Sequence, residues 1–136
     1  MSDPFDLSGR RALVTGGCRG IGAAIALAFR DRGARVVVHG RGDARAREFA
    51  AANGLAFVAA ELSDPTQIPL LAERALAELG GLDVLVNNAG MEISATVERL
   101  DPAAVRQQLL VDLEAPILLT QSLIPALRES PHGGSV

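Results

Sequence analysis

The stretch of this chain whose residue types and spacing could do chemistry is Thr15-Gly16-Gly17-Cys18-Arg19-Gly20-Ile21-Gly22. It directly follows the apolar run Ala12-Leu13-Val14 and directly precedes a helix-forming run from Ala23 to Arg32. Strand, glycine turn and helix in that order make a layout that holds a nucleotide pyrophosphate. Glycines at 16, 20 and 22 remove Cβ atoms, so the backbone can turn tightly and approach a ligand. The helix that follows aims its free N–H groups and positive dipole end at the phosphates. The spacing is Gly-x-x-x-Gly-x-Gly, a longer loop than the common Gly-x-Gly-x-x-Gly. A second chemical cue lies after the run Val36-Val37-Val38, which ends His39-Gly40-Arg41. A site for NAD places a carboxylate there to accept bonds from the ribose 2′-hydroxyl, whereas a 2′-phosphate needs positive charge. There is no acid at 39 or 40 and a guanidinium at 41, which favours NADP(H) over NAD(H) as cofactor.

These residues must be positioned by the elements around them. Arg10 to Thr15 reads as a first strand, and the helix from Ala23 is ended by Gly33. Arg35 to His39 is a second strand whose unbroken β-branched core suits burial on both faces, as in a parallel sheet. Asp43 to Ala52 is helical and is stopped by Asn53-Gly54, and Leu55 to Ala60 is a third strand. Asp64-Pro65-Thr66-Gln67 has the form of a capping box, which predicts a helix from about Pro65 to Leu79, closed by Gly80-Gly81. Leu82 to Val86 is a fourth strand and runs straight into Asn87-Asn88-Ala89-Gly90. Asp101-Pro102 repeats the cap-plus-proline start and opens a long helical stretch, which Pro116 is expected to kink. After Pro131-His132-Gly133-Gly134 the last residues, Ser135-Val136, read as the first step of a fifth strand. The alternation predicts an α/β fold, a doubly wound parallel sheet of Rossmann type in one domain spanning 1–136, incomplete at its C-terminal end.

Composition narrows the function classes. The chain has 136 residues, 49% of them of hydrophobic type, and a formal charge of −3. It reads as a single globular unit. Its basic residues are dispersed, so no stripe suits nucleic acid. No uninterrupted apolar run reaches the roughly 18 residues of a membrane span, and Met1 to Asp6 lacks the pattern of a signal peptide, so no membrane is expected and the cytoplasm is the expected compartment. The single cysteine, Cys18, excludes an internal disulfide and has no activating partner in sequence, so it reads as a small loop side chain. His39 and His132 lack ligand-spaced partners and read as a strand-end and a loop histidine; no metal site follows.

Taken together, Thr15-Gly16-x-x-x-Gly20-Ile21-Gly22 after the first strand, Glu61-Leu62-Ser63-Asp64 after the third and Asn87-Asn88-Ala89-Gly90 after the fourth resemble the short-chain dehydrogenase/reductase family. The match runs from about Leu7 to Val136, and the glycine spacing is that of the family's single-domain oxidoreductase branch. The resemblance implies cofactor contacts at Gly16, Gly20, Ile21 and Gly22, a second base for the 2′-phosphate at Arg19 beside Arg41, and an adenine edge at Glu61 and Leu62. Glu61 stands where an aspartate is usual. Asn88, Ala89 and Gly90 would pass the cofactor ribose, with Asn87 tying neighbouring strand ends.

Hydride transfer between nicotinamide and a small alcohol or carbonyl compound needs a group that exchanges a proton with the substrate oxygen. In the family that group is a tyrosine paired with a lysine four residues on, with a serine polarising the carbonyl. This chain contains neither Tyr nor Lys. The family's catalytic asparagine in the long helix corresponds to Asp112, whose alternative reading is a structural acid, buried or facing the kink. The resemblance therefore implies the NADP(H)-binding half of a short-chain oxidoreductase, inactive until completed. A second reading is a non-catalytic module that binds NADP(H) or a partner protein. In such a sheet the fourth strand would present an open apolar edge, and the long helix, apolar on more than one side, suits a homo-oligomer or a complementing C-terminal half as partner.

Overall fold

The computed structural model describes residues 3–136. Met1 and Ser2, part of the segment read as lacking a leader, lie outside the described residues. The elements are β1 (Arg11–Val14), α1 (Gly20–Asp31), β2 (Arg35–Gly40), α2 (Ala44–Ala52), β3 (Ala56–Ala59), α3 (Gln67–Leu79) and β4 (Val84–Val86). A short 3-10 turn (Val97–Arg99) then leads into α4 (Pro102–Leu109), a π-turn (Leu110–Glu114) and α5 (Ala115–Arg128). The four strands are all parallel in the order β3-β2-β1-β4. The chain winds outward from β1 to β3, then crosses back to place β4 on the other side of β1. That reversal leaves a crevice beyond the carboxyl ends of β1 and β4, the place where open parallel sheets bind ligands.

The unbroken apolar runs have the burial that a doubly covered sheet demands. Leu13, Val37 and Leu85 point to one face and pack with Ile68, Leu71 and Ala75 of α3 and Leu119, Leu123 and Leu127 of α5. Ala12, Val14, Val36 and Val38 point to the other, against Ala26 of α1 and Ala50 of α2. Strand alternation thus assigns each helix pair its own side of one sheet. Ser135, expected at a strand start, pairs with Val84 in an isolated parallel bridge. Its N–H donates to Asp83 O and its carbonyl accepts from Leu85 N, both at 2.9 Å, on the outer edge of β4.

Two local expectations need correction. The helix after the glycine turn starts at Gly20, not Ala23, so Gly20, Ile21 and Gly22 form its first turn. The helix predicted from Pro65 starts at Gln67. The Asp64 carboxylate is drawn into a tight turn by the N–H and hydroxyl of Thr66, and Gln67 turns its amide oxygen back to the Glu61 N–H at 2.7 Å. The box residues therefore brace the β3–α3 loop. At Pro116, which has no N–H for the carbonyl of Asp112, the long helix is irregular as expected: a π-turn precedes the proline, Ala115 N–H reaches five residues back to Leu110 O, and the helix continues as α5. Finally, the 27-residue helical stretch Pro102–Arg128 is, by length and composition, apolar enough to cross a membrane. Its Val111, Ala115, Leu119, Leu123 and Leu127 stripe is buried against the sheet, while Leu109, Leu113 and Ile117 are exposed.

Candidate functional site

The glycine turn is bound to the carboxyl ends of three strands. Thr15 N–H donates to Val86 O of β4 at 3.0 Å, and Gly17 N–H donates to His39 O of β2 at 3.1 Å. The Thr15 hydroxyl, almost wholly buried, accepts from the backbone N–H groups of Asn88 and Ala89, both at 3.0 Å. The Asn88 side chain answers by donating to the carbonyls of Thr15 and Gly16 at 3.0 and 3.2 Å. The two loops that meet across the crevice are therefore one hydrogen-bonded unit. The strand tie expected of Asn87 belongs to Asn88 instead. Asn87 is exposed and reaches Thr120 of α5 at 3.3 Å, because successive residues leaving a strand point to opposite sides.

The start of α1 is arranged for an anion. Its N-cap residue, Arg19, is extended and makes no side-chain cap, and no acidic residue lies in the first turn. The N–H groups of that turn have neither a capping side-chain oxygen nor a first-turn carboxylate to satisfy them. Gly20 has φ +55°, and a Cβ built on it would meet nothing within 4 Å, so the space before the helix is open. Ile21 stands 76% exposed beside it, a large apolar side chain at the mouth of the crevice.

Arg19 and Arg41 both lie at the surface on this rim, and neither has a hydrogen-bond or ion-pair partner among the described residues. No carboxylate stands between them in the β2–α2 loop before Asp43, which is occupied in capping α2 through Ala46 N–H at 2.8 Å. The loop carrying Arg41 is braced by Arg47, whose guanidinium covers the Phe57 ring at 5.1 Å. Cys18 sits partly buried behind the turn. Burial, and secondarily the Asp43 carboxylate, pushes its thiol pKa up, which bears out its reading as an unactivated loop side chain.

Glu61 and Leu62 follow β3 as expected, but the Glu61 carboxylate is folded onto its own loop, accepting from the Ser63 hydroxyl at 3.0 Å and the Ser63 N–H at 3.3 Å. Leu62 is buried at the wall of the crevice. Gly90 is exposed and lies against Asp112. The Asp112 Oδ1 accepts from Met91 N–H at 2.8 Å and its Oδ2 from the Gln108 side chain at 3.1 Å. Asp112 is exposed in the π-turn, so the structural acid facing the kink is not a buried one.

His39 does more than end a strand. It is almost wholly buried, its Nδ1 accepts from Gly16 N–H at 3.1 Å, and its Nε2 lies 2.9 Å from Ala60 O. The two partners assign a neutral ring with the proton on Nε2. Burial lowers its pKa, against smaller opposing effects of the Ala60 carbonyl and Glu61. The sequence held a usable signal: a polar ring in line with Val36 to Val38 must find partners once buried.

This fold and crevice define the class, and the short chain dehydrogenase family model matches residues 10–136. The chain belongs to that family. It is similar to D-beta-hydroxybutyrate dehydrogenase of Cupriavidus necator, with 32% identity over 132 residues, 93% of this chain and 51% of that one. Among solved structures it resembles a short chain dehydrogenase of Burkholderia cenocepacia in complex with NADP, at 36% identity and a TM-score of 0.83, covering 89% of this chain and 52% of that one. It also resembles the NADP active-site complex of Pseudomonas aeruginosa RhlG, at 37% identity and a TM-score of 0.85, covering 96% and 52%. The chain spans about half the length of the curated relatives it matches.

Proposed function

We propose that residues 1–136 are the NADP(H)-binding part of an oxidoreductase that moves hydride between nicotinamide and a small alcohol or carbonyl compound. The observation that carries this reading is the uncapped start of α1 at the sheet's reversal point, with Arg19 and Arg41 unpartnered on its rim. The N–H groups of Gly20, Ile21 and Gly22 take the pyrophosphate, with Gly16 allowing its approach. Arg19 and Arg41 hold the 2′-phosphate, whose charge-assisted bonds to guanidinium groups outweigh what a neutral ribose hydroxyl could make there. Asn88, Ala89 and Gly90 pass the ribose, and Leu62 borders the adenine. Glu61 contributes through its loop, since its carboxylate is taken up by Ser63.

The nicotinamide supplies the hydride chemistry when bound. The chain's own part is to orient it: the crevice fixes the cofactor, and Ile21 gives it apolar cover. With neither Tyr nor Lys among the 136 residues, the proton exchange that accompanies hydride transfer depends on groups outside this stretch, so the stretch binds cofactor without turning over. The reading extends to a cytoplasmic, oligomeric protein. Calorimetric titration with NADPH and NADH tests the cofactor assignment. Arg41→Ala should weaken NADPH about ten-fold or more and leave NADH nearly unchanged, since one charge-assisted bond is worth about 1.5–3 kcal/mol. Equal loss for both cofactors would sink the phosphate clamp.

A further inference from the structure

We propose that His39 is a positioning residue for the glycine turn, and that protonation of its ring releases the turn and weakens dinucleotide binding. The inference rests on the reading that this turn holds a dinucleotide. His39 grips the turn in three ways: its ring accepts from Gly16 N–H, its carbonyl accepts from Gly17 N–H, and the Cys18 thiol lies 3.8 Å from the same carbonyl. On the other side its Nε2–H donates to Ala60 O, just past the end of β3. One buried side chain thus couples the turn after β1 to the ends of β2 and β3.

The direction of the effect follows from donor and acceptor arithmetic. A neutral imidazole has one acceptor nitrogen, and here Gly16 N–H uses it. An imidazolium has none. Protonation at Nδ1 sets two N–H groups against each other at 3.1 Å, so Gly16 must move or lose its partner. Gly16 cannot move freely. A Cβ built on it would lie 3.0 Å from the Ala89 Cα, which shows how closely the turn seats on the facing loop, and its carbonyl is held by Asn88. Displacing it disturbs both loops of the crevice together.

The surroundings favour the neutral form. From the loop after β3 the one charged neighbour is Glu61, which acts weakly in the opposite sense and is itself engaged by Ser63. The glycine turn carries the Cys18 thiol and the exposed Arg19, and the loop after β2 carries the exposed Arg41. Burial dominates, so the ring stays neutral through the physiological range and charges below the ordinary histidine pKa of 6.5.

The experiment compares the full chain with His39→Asn and His39→Leu, titrating NADPH between about pH 7.5 and about pH 5. Asparagine offers a non-titrating oxygen near the position of Nδ1, whereas leucine offers none. Wild type should lose about ten-fold more affinity across that range than His39→Asn, and His39→Leu should be weak at every pH. The cofactor's own phosphate monoester also titrates, near about pH 6, but identically for all three proteins, so the ratio isolates His39. Parallel profiles for wild type and His39→Asn would overturn the proposal. A second measurement needs no cofactor: in the wild-type chain the Gly16 amide nitrogen resonance should shift in step with the His39 ring titration. A Gly16 signal indifferent to His39 overturns the proposal on its own. Failure of wild type to bind NADPH at any pH would instead defeat the proposed function.

Discussion

The Thr15 hydroxyl accepts hydrogen bonds from the backbone of both Asn88 and Ala89, so a single oxygen at the end of β1 terminates β4 and aims the loop that follows it. Its replacement by valine keeps the shape and removes the acceptor. The half-buried Ala89 N–H would then lack a partner, at a cost of about 1–3 kcal/mol, and the Asn88 N–H would keep only its 3.1 Å bond to Val86 O. Thr15→Val should lower stability by about 2–3 kcal/mol in urea unfolding, while Thr15→Ser, which keeps the oxygen, should stay within about 1 kcal/mol of wild type. A valine variant as stable as wild type would show that the hydroxyl does not hold the two loops together.

Gly20 and Gly22 should separate binding from folding. A Cβ on Gly22 would lie 2.2 Å from Gly16 O and 2.4 Å from Asn88 Nδ2, inside the web that joins the loops. Gly22→Ala should therefore cost about 3 kcal/mol or prevent folding. A Cβ on Gly20 meets nothing, and the penalty is only that of a left-handed backbone at φ +55°, about 1–2 kcal/mol. It would, however, stand in the space before the helix. Gly20→Ala should fold, unfold a few degrees early, and bind NADPH at least ten-fold more weakly. Unchanged NADPH affinity in that variant would place the pyrophosphate elsewhere.

The opposite rim of the sheet is tied by a buried acid and predicts an acid limb of unfolding. Asp83 is fully buried, accepts from Arg11 N–H at 2.7 Å and from its guanidinium at 2.9 and 3.0 Å, and receives the Ser130 hydroxyl at 2.5 Å. The Arg11 guanidinium, helped by Ser130 and opposed by burial, holds its carboxyl far below the usual carboxylate range. A depressed folded pKa means that the stabilisation is complete above the unfolded value of about 3.9 and fades as pH falls below it toward the folded one. Asp83→Asn should lose about 3 kcal/mol at neutral pH and flatten the decline of stability below about pH 4. Equal acid sensitivity in the variant would assign the decline to other carboxylates.

The fold was legible because its signals are local and agree with one another. Val36 to Val38 can sit only in a strand covered on both faces, and glycines or capping pairs bound almost every helix. What escaped depends on which of several polar groups wins a shared partner. Asp64 and Gln67 have the sequence of a capping box and do meet, the Gln67 amide donating to Asp64 Oδ2 at 3.2 Å, but Thr66 also donates to the aspartate and the Gln67 oxygen accepts from Glu61 N–H, so the pair braces the loop. Asn87 and Asn88 are chemically identical neighbours, and only the pairing of β1 with β4 decides which faces inward. Asp83 and His39 are buried ties between elements distant in sequence, and no spacing rule reports such pairings. At the proposed site, the glycine turn and the exposed arginines stand out in sequence through backbone shape and charge alone. The Glu61 carboxylate is bound within its own loop by Ser63, which spacing alone does not report.

Asp112 presents the sharpest test of how this chain departs from the family pattern. The Asp112 carboxylate holds Met91 N–H at 2.8 Å, and Gly90 packs so close that a Cβ there would sit 3.4 Å from Oδ1. An anchor needs only an acceptor at Oδ1, which asparagine also supplies, whereas a role in moving protons needs a group that ionises. Asp112→Asn should thus keep stability within about 0.5 kcal/mol and leave NADPH affinity unchanged, while Asp112→Leu should lose about 1 kcal/mol and weaken NADPH several-fold by freeing the segment after Ala89. Amide exchange at Met91 gives the direct readout: it should quicken in the leucine variant and not in the asparagine one. Quickening in both would mean that the negative charge, rather than the acceptor geometry, holds the loop against the π-turn.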